Sequence, residues 1–255
     1  MLGPLSKGAL RGQGRRRGRT LEAIYRRLYR TFGPQHWWPG ETPFEIAVGA
    51  LLTQNTSWSN ASRAVQALKQ RGLLRASRIR GLPLRRLALL IRSSGYFNQK
   101  AKRLKRFVRY LLERYAGRVE KMRGVPLPRL RGELLGIPGI GPETADSILL
   151  YALGKPTFVG DAYTHRVLAR HSLIPRNASY GEIQALFMNN LRPSTARFNE
   201  FHALLVALGK NLCRPHPRCH LCPLRKIGKL RLETWPDRTA KAALLLPSSQ
   251  KQPAL

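Results

Sequence analysis

Acidic residues are scarce in this chain: 13 Asp and Glu stand against 46 Lys and Arg, a formal net charge of +33 over 255 residues. Such an excess disfavours a cationic partner and favours a polyanion, because each cation set beside a phosphate releases condensed counterions. An anionic membrane surface is the rival partner. Long apolar runs are missing as well. No segment approaches the ~18 uninterrupted apolar residues of a bilayer span, so no membrane segment is expected. A basic start without a following apolar stretch lacks the signal-peptide pattern. The expected location is the cytoplasm or nucleoid, with an arginine-rich organelle transit peptide left open. Cysteines number three, all between residues 213 and 222. That excludes a disulfide framework and points to a reducing interior. Alternating β-branched runs and internal repeats are also absent.

What is present is helical periodicity, and 43% hydrophobic residues suffice for a packed core. Leu21, Ile24, Tyr25, Leu28, Tyr29 and Phe32 follow i, i+3, i+4 spacing up to Gly33-Pro34. The capping signals "TPFE" at 42–45 and "SYGE" at 179–182 open further helices. Helices are also expected over 58–70, 84–92, 99–115, 127–135, 142–153 and 194–212. The fold class is therefore all-α. Residues 1–19 hold Lys7, Arg11, Arg15, Arg16, Arg17 and Arg19, no acid and five glycines. They read as a disordered basic arm, either a solvated tail or a DNA contact. Residues 233–255 read as a second tail.

"GIPGIGPETAD" at 136–146 joins two expected helices through three glycines. It is neither GxGxxG nor a Gly-Lys-Ser/Thr loop, and no strand precedes it. A helix, a glycine hairpin and a helix N-terminus still turn backbone N–H groups and a positive dipole toward an anion. For a duplex partner that anion is a backbone phosphate, met by Gly139, Ile140 and Gly141 without regard to sequence. A plain tight turn is the alternative.

The segment "LLGIPGIGPETADSILLYALGKPTFVGDAYTHRVLAR" resembles the helix-hairpin-helix and downstream Asp of the DNA glycosylases related to endonuclease III. "PFEIAVGALLTQNTSW", "SSGYFNQKAKRL" and "FHALLVALGKNLCRPHPRCHLCPL" resemble that family's Gln-bearing loop, second DNA-contacting loop and cysteine loop, in the same order between Thr20 and Leu224. The resemblance implies two helical domains flanking a DNA-binding cleft. Residues 35–155 would form a six-helix domain, with the helix-hairpin-helix at about 127–154. Residues 20–34 and 156–232 would form the second domain. It also implies a damaged double-stranded DNA partner, and a monomer suffices for the chemistry.

The family's strand-cleaving lysine falls on Glu143, and a carboxylate cannot form an imine. The family's aspartate falls on Asp161. A fixed carboxylate there stabilises positive charge on the sugar and can orient water. The implied enzyme is a monofunctional glycosylase. Strand cleavage by another amine, Lys155 or Lys210, and DNA binding without chemistry are the competing readings. Read locally, Asp161 is equally a helix N-cap, and Glu143 complements a helix dipole.

Trp37, Trp38 and Trp58 flank one expected helix and suit the walls of a pocket for a flipped base; core packing is the alternative. Their arrangement resembles the 3-methyladenine branch of the superfamily, and a cationic alkylated purine is attracted to indole π density. By the resemblance, Gln54 enters the gap left by the flipped nucleotide, Tyr96 or Phe97 wedges the stack and Asn98 contacts the backbone. The run Lys100, Lys102, Arg103, Lys105, Arg106 reads as a solvated helix face or a phosphate track. Cys213, Cys219 and Cys222 resemble the family's iron–sulfur (4Fe-4S) loop, but Gly228 occupies the place of the fourth cysteine. A cluster, a zinc site completed by His216 or His220, and a metal-free remnant all stay open.

Overall fold

The computed structural model describes residues 7–230, with side chains from residue 14 onward. The first six residues of the expected arm and the expected tail at 233–255 lie outside the described residues. Among those described there are eleven α-helices and no strand. They are α1 (Lys7–Phe32), α2 (Pro43–Leu52), α3 (Trp58–Lys69), α4 (Ala76–Gly81), α5 (Leu84–Leu90), α6 (Phe97–Tyr115), α7 (Leu127–Leu135), α8 (Pro142–Ser147), α9 (Ala162–Arg170), α10 (Tyr180–Met188) and α11 (Thr195–Asn211). A π turn, Ile148–Ala152, prolongs α8. No described helix is long and apolar enough to cross a membrane.

Helix starts follow local chemistry. The side chains of Thr42, Ser57, Ser179 and Ser194 each accept the backbone N–H three residues on, and Ser179 with Glu182 completes a reciprocal capping box. α6 begins two residues ahead of the expected Gln99, because Tyr96 takes a left-handed turn (φ 45°) that ends the preceding loop. Seven helices, rather than six, lie between residues 43 and 147; the addition is the short α4.

Two expectations are corrected. The segment expected as a disordered arm is helical from Lys7, continuous with α1. Its glycines do not all act as breaks. Gly14 and Gly18, four apart on one face, let α1 close on the chain after α10: a Cβ on Gly18 would sit 2.7 Å from the Asn190 carbonyl oxygen. Nor is the basic run of α6 solvated throughout. Lys100 is buried and donates to the carbonyls of Leu52 (2.8 Å) and Ser94 (2.5 Å). Burial and neighbouring Arg103 push its ammonium down to about 8. Lys105 reaches the Arg80 carbonyl at 2.6 Å, and Arg106 reaches that of Pro138 at 3.2 Å. These cations pin loops to α6; Lys102 and Arg106 remain exposed.

Two apolar cores result. One joins α2 to α8 through residues such as Leu51, Leu104, Phe107, Leu134 and Ile148. The other joins α1 to α9, α10 and α11 through Leu21, Ile24, Phe158, Phe187, Phe198 and Phe201. Phe158 stacks on Phe187 with ring centroids 3.5 Å apart, and each fully buried ring contributes about 1.5–3 kcal/mol. The cores are bolted together by Asp146 of α8, which is fully buried. It receives Arg131 Nε (2.9 Å) and Nη2 (3.0 Å), the Tyr180 hydroxyl (2.9 Å) and Gln184 Nε2 (2.9 Å). With Thr157 Oγ1 (3.3 Å) as a fifth, these donors satisfy a charge that would otherwise be costly to bury.

Candidate active site

At the seam between the cores lies a cavity of about 130 Å³. Its lining includes Trp37, Trp38, Trp58, Gln54, Glu143 and Asp161, which the sequence places far apart. The three indoles meet edge to face: centroids are 5.0 Å apart for Trp37–Trp38, 4.9 Å for Trp38–Trp58 and 6.1 Å for Trp37–Trp58. They sit low on α2 because Gly49 has no side chain; a Cβ there would lie 3.3 Å from both Trp38 and Trp58. Trp38 packs against both cores while also facing the cavity, so core packing and pocket wall are not exclusive. The Nε1 donors of Trp37 and Trp38 are buried without a protein acceptor.

Asp161 is the N-cap of α9: its Oδ1 accepts the Thr164 backbone N–H at 2.8 Å. Oδ2 lies 3.5 Å from His202 Nε2. Burial works to raise the Asp161 carboxyl, but the His202 ring and the Thr164 contact outweigh it and hold the group below its ordinary value. Glu143 behaves oppositely. It stands on the cavity rim, open to solvent yet walled by protein on most sides. That desolvation, together with the charge of Asp161, pushes its carboxyl up to about 7. Two carboxyls on one cavity are thus driven apart, one held ionised and one near neutrality.

Sequence reasoning missed His202, Tyr151 and Tyr163. His202 and Tyr163 line the cavity, and the Tyr151 hydroxyl meets His202 Nδ1. On α11 His202 reads as one more member of an apolar stripe; only its contact with a residue 51 positions away sets it apart. Lys210 lines the same cavity, with its ammonium 5.8 Å from the Trp37 ring. Lys155 is occupied elsewhere, donating to the carbonyls of Arg123 (2.7 Å) and Val125 (2.8 Å).

The hairpin adjoins the cavity. Ile137 and Ile140 are buried and anchor it, whereas Gly139 and Gly141 are exposed. Gly139 has φ 97°, and a Cβ there would lie 2.5 Å from Arg103, so glycine is required. Gln54 Nε2 donates to the Gly139 carbonyl (3.1 Å) and to Thr144 Oγ1 (2.9 Å), while Arg103 donates to its Oε1 (2.6 Å). Gln54 is therefore tied to the hairpin. Tyr96 and Asn98 stand exposed at the start of α6.

The cysteine loop does not offer four thiols. Cys213, Cys219 and Cys222 are free, and burial pushes the Cys219 and Cys222 thiols up, which disfavours the thiolate a metal needs. Cys213 Sγ accepts from Arg170 at 3.3 Å. Gly228 has φ 65°, and a Cβ there would fall 2.3 Å from the His171 carbonyl oxygen. The backbone at the fourth position accommodates glycine and not cysteine. Among the described residues no three His, Cys, Asp or Glu side chains are placed to hold a metal ion. The residues present do not fit a four-thiolate cluster.

Residues 48–193 match the family described as HhH-GPD superfamily base excision DNA repair protein. The chain is 45% identical over 205 residues to "Putative DNA repair glycosylase MJ1434" of Methanocaldococcus jannaschii, covering 80% of this chain and 93% of that one. It is 28% identical over 183 residues to endonuclease III of Bacillus subtilis, covering 71% and 78%. Among solved structures it is similar to the H. pylori 3-methyladenine DNA glycosylase MagIII bound to 1,N6-ethenoadenine. There the TM-score is 0.64 at 29% identity, over 75% of this chain and 97% of that one. A non-covalent endonuclease III–DNA complex gives a TM-score of 0.72 at 21% identity, over 89% and 98%, which shows the shared fold.

Proposed function

Because this chain belongs to the HhH-GPD superfamily of base excision DNA repair proteins, we propose that it is a monofunctional DNA glycosylase that hydrolyses the N-glycosidic bond of a flipped alkylated purine. The observation that carries this reading is the convergence of Asp161, Glu143 and three tryptophans on one cavity. The exposed hairpin glycines, with Ile140 buried as anchor between them, grip a duplex phosphate, and the flipped nucleotide enters between the indoles. As the bond to C1′ breaks, its electron pair leaves with the base. An alkylated purine already carries a positive charge and so departs neutral. The sugar becomes cationic, the Asp161 carboxylate steadies it, and a water that Asp161 orients adds to C1′ while its proton passes to that carboxylate.

Glu143 supplies no amine, so the strand stays intact beside an abasic site. Tyr96 and Asn98 act on the DNA at the gap, and Gln54 joins them once DNA draws it from its hairpin contacts. The cysteine loop contributes basic side chains that meet the DNA backbone. The protein works in a DNA-containing compartment. One observation favours a second reading, strand cleavage by an amine: Lys210 lines the cavity, whereas Lys155 does not.

Two measurements decide. Free base released from duplexes carrying alkylated, oxidised or deaminated bases should be greatest for alkylated purines. Borohydride added during turnover should trap no covalent complex. A trapped complex that disappears in Lys210→Ala establishes the lyase instead.

A further inference from the structure

Tyr151, His202 and Asp161 form a line of polar groups across the seam between the two cores, and the cavity opens at the Asp161 end. Tyr151 and His202 are both buried, on surfaces that otherwise carry apolar side chains. We propose that His202 is a positioning residue for Asp161: Tyr151 fixes its tautomer, and the resulting Nε2–H is aimed at the carboxylate. The inference rests on the glycosylase reading given above.

With the Tyr151 hydroxyl as donor, the hydrogen-bond requirements of the three groups close as follows. Burial pushes the Tyr151 hydroxyl well above its ordinary value, so it keeps its proton and needs an acceptor. The partner it meets is His202 Nδ1. An Nδ1 that accepts is unprotonated, so a ring holding one proton carries it on Nε2. Nε2 is buried with no formed hydrogen bond, and the nearest acceptor is Asp161 Oδ2 at 3.5 Å. Catalytic hydrogen bonds are often long before substrate is seated and tighten when it is. Closing this one gives each Asp161 oxygen its own donor, Thr164 N–H on Oδ1 and His202 on Oδ2, which fixes the plane of the carboxylate.

The titratable groups around His202 are few. Tyr151 faces it from the π turn, Asp161 from the cap of α9 and Glu143 from α8, with Tyr163 and Lys210 farther round the cavity. α1 packs on α11 through Tyr25 and Phe201, and its Glu22 is engaged by Arg197. An ionised Asp161 is needed for the reaction. Removing His202 therefore raises the pH below which activity is lost.

Single-turnover base release from an alkylated duplex, followed against pH, tests this. In His202→Ala the acid limb should move up by about one pH unit, a loss of about ten-fold below the limb. His202→Gln, whose amide can offer an N–H, should restore part of the shift. Tyr151→Phe should move the limb in the same direction, less far. Nitrogen-15 imidazole spectra of the wild-type protein should show the Nε2–H tautomer, a readout that survives if a variant fails to fold. A His202→Ala profile superimposed on the wild type, or an Nδ1–H tautomer, overturns the proposal. Asp161→Asn separates the two levels. If it is inactive while His202→Ala is unaffected, only the positioning role falls; if it is fully active, the glycosylase mechanism itself falls.

Discussion

Asp161→Asn separates two roles that a single position carries. Asp161 caps α9 through one 2.8 Å bond to Thr164 N–H, and it also faces the cavity. Asparagine caps as well as aspartate does, so the substitution keeps the cap while removing the charge and the second carboxylate oxygen that faces His202. Stability should change by less than about 0.5 kcal/mol, which is at most a degree or two in Tm for a chain of this size. Alanine removes the cap as well, for about 1 kcal/mol and a fall of roughly 2–4 °C. Activity should follow the opposite logic. Losing a fixed charge aimed at a developing cation costs about 10²–10³ in rate, the scale of removing one preorganised electrostatic partner. Both variants should therefore release base at least about a hundred-fold more slowly, while only Asp161→Ala melts earlier. The assay is single-turnover release of free base from an alkylated duplex, paired with calorimetric melting. Asp161→Asn within about ten-fold of the wild-type rate would refute the reasoning and reduce Asp161 to a helix cap.

Asp146→Ala leaves the half-buried Arg131 without its partner and strips the Tyr180 hydroxyl and Gln184 of an acceptor; urea unfolding should show a loss of about 2–3 kcal/mol. A loss under about 1 kcal/mol would mean the carboxylate does not join the two cores. Glu143, with its folded-state value raised from 4.5 to about 7, makes the folded protein hold the extra proton across that window, so stability falls as pH rises through it. Glu143→Gln should flatten this slope and stabilise the protein above pH 7, and an unchanged slope would contradict the desolvation argument. Gly228→Cys supplies the missing fourth thiol but drives a Cβ onto the His171 carbonyl at a left-handed backbone position. It should lower stability by about 2–5 kcal/mol and bring no iron–sulfur absorption on reconstitution, whereas a stable, coloured variant would overturn the fit argument.

Much of the site was legible in the sequence because family spacing preserved it. Trp37, Trp38, Trp58, Glu143 and Asp161 do share one cavity. The basic run of α6 was not. Lys100 looks like any other solvated lysine until the chain folds its ammonium under the Leu52 and Ser94 carbonyls. The amino-terminal arginines and glycines likewise read as disorder, since the reason for glycine at position 18 is the close approach of the Asn190 carbonyl, far along the chain.

The sequence alone determined whatever is decided within a turn or two of the chain. The Ser179–Glu182 box and the caps at Thr42 and Ser194 depend on atoms a few residues apart, whatever surrounds them. The tertiary structure alone decided charge and protonation. Burial and long-range partners set those for Glu143 beside Asp161 and for the enclosed Lys100, and they bring His202 to Tyr151 and Asp146 to its donors. Desolvation has no sequence signature, because it depends on which other parts of the chain have displaced the water.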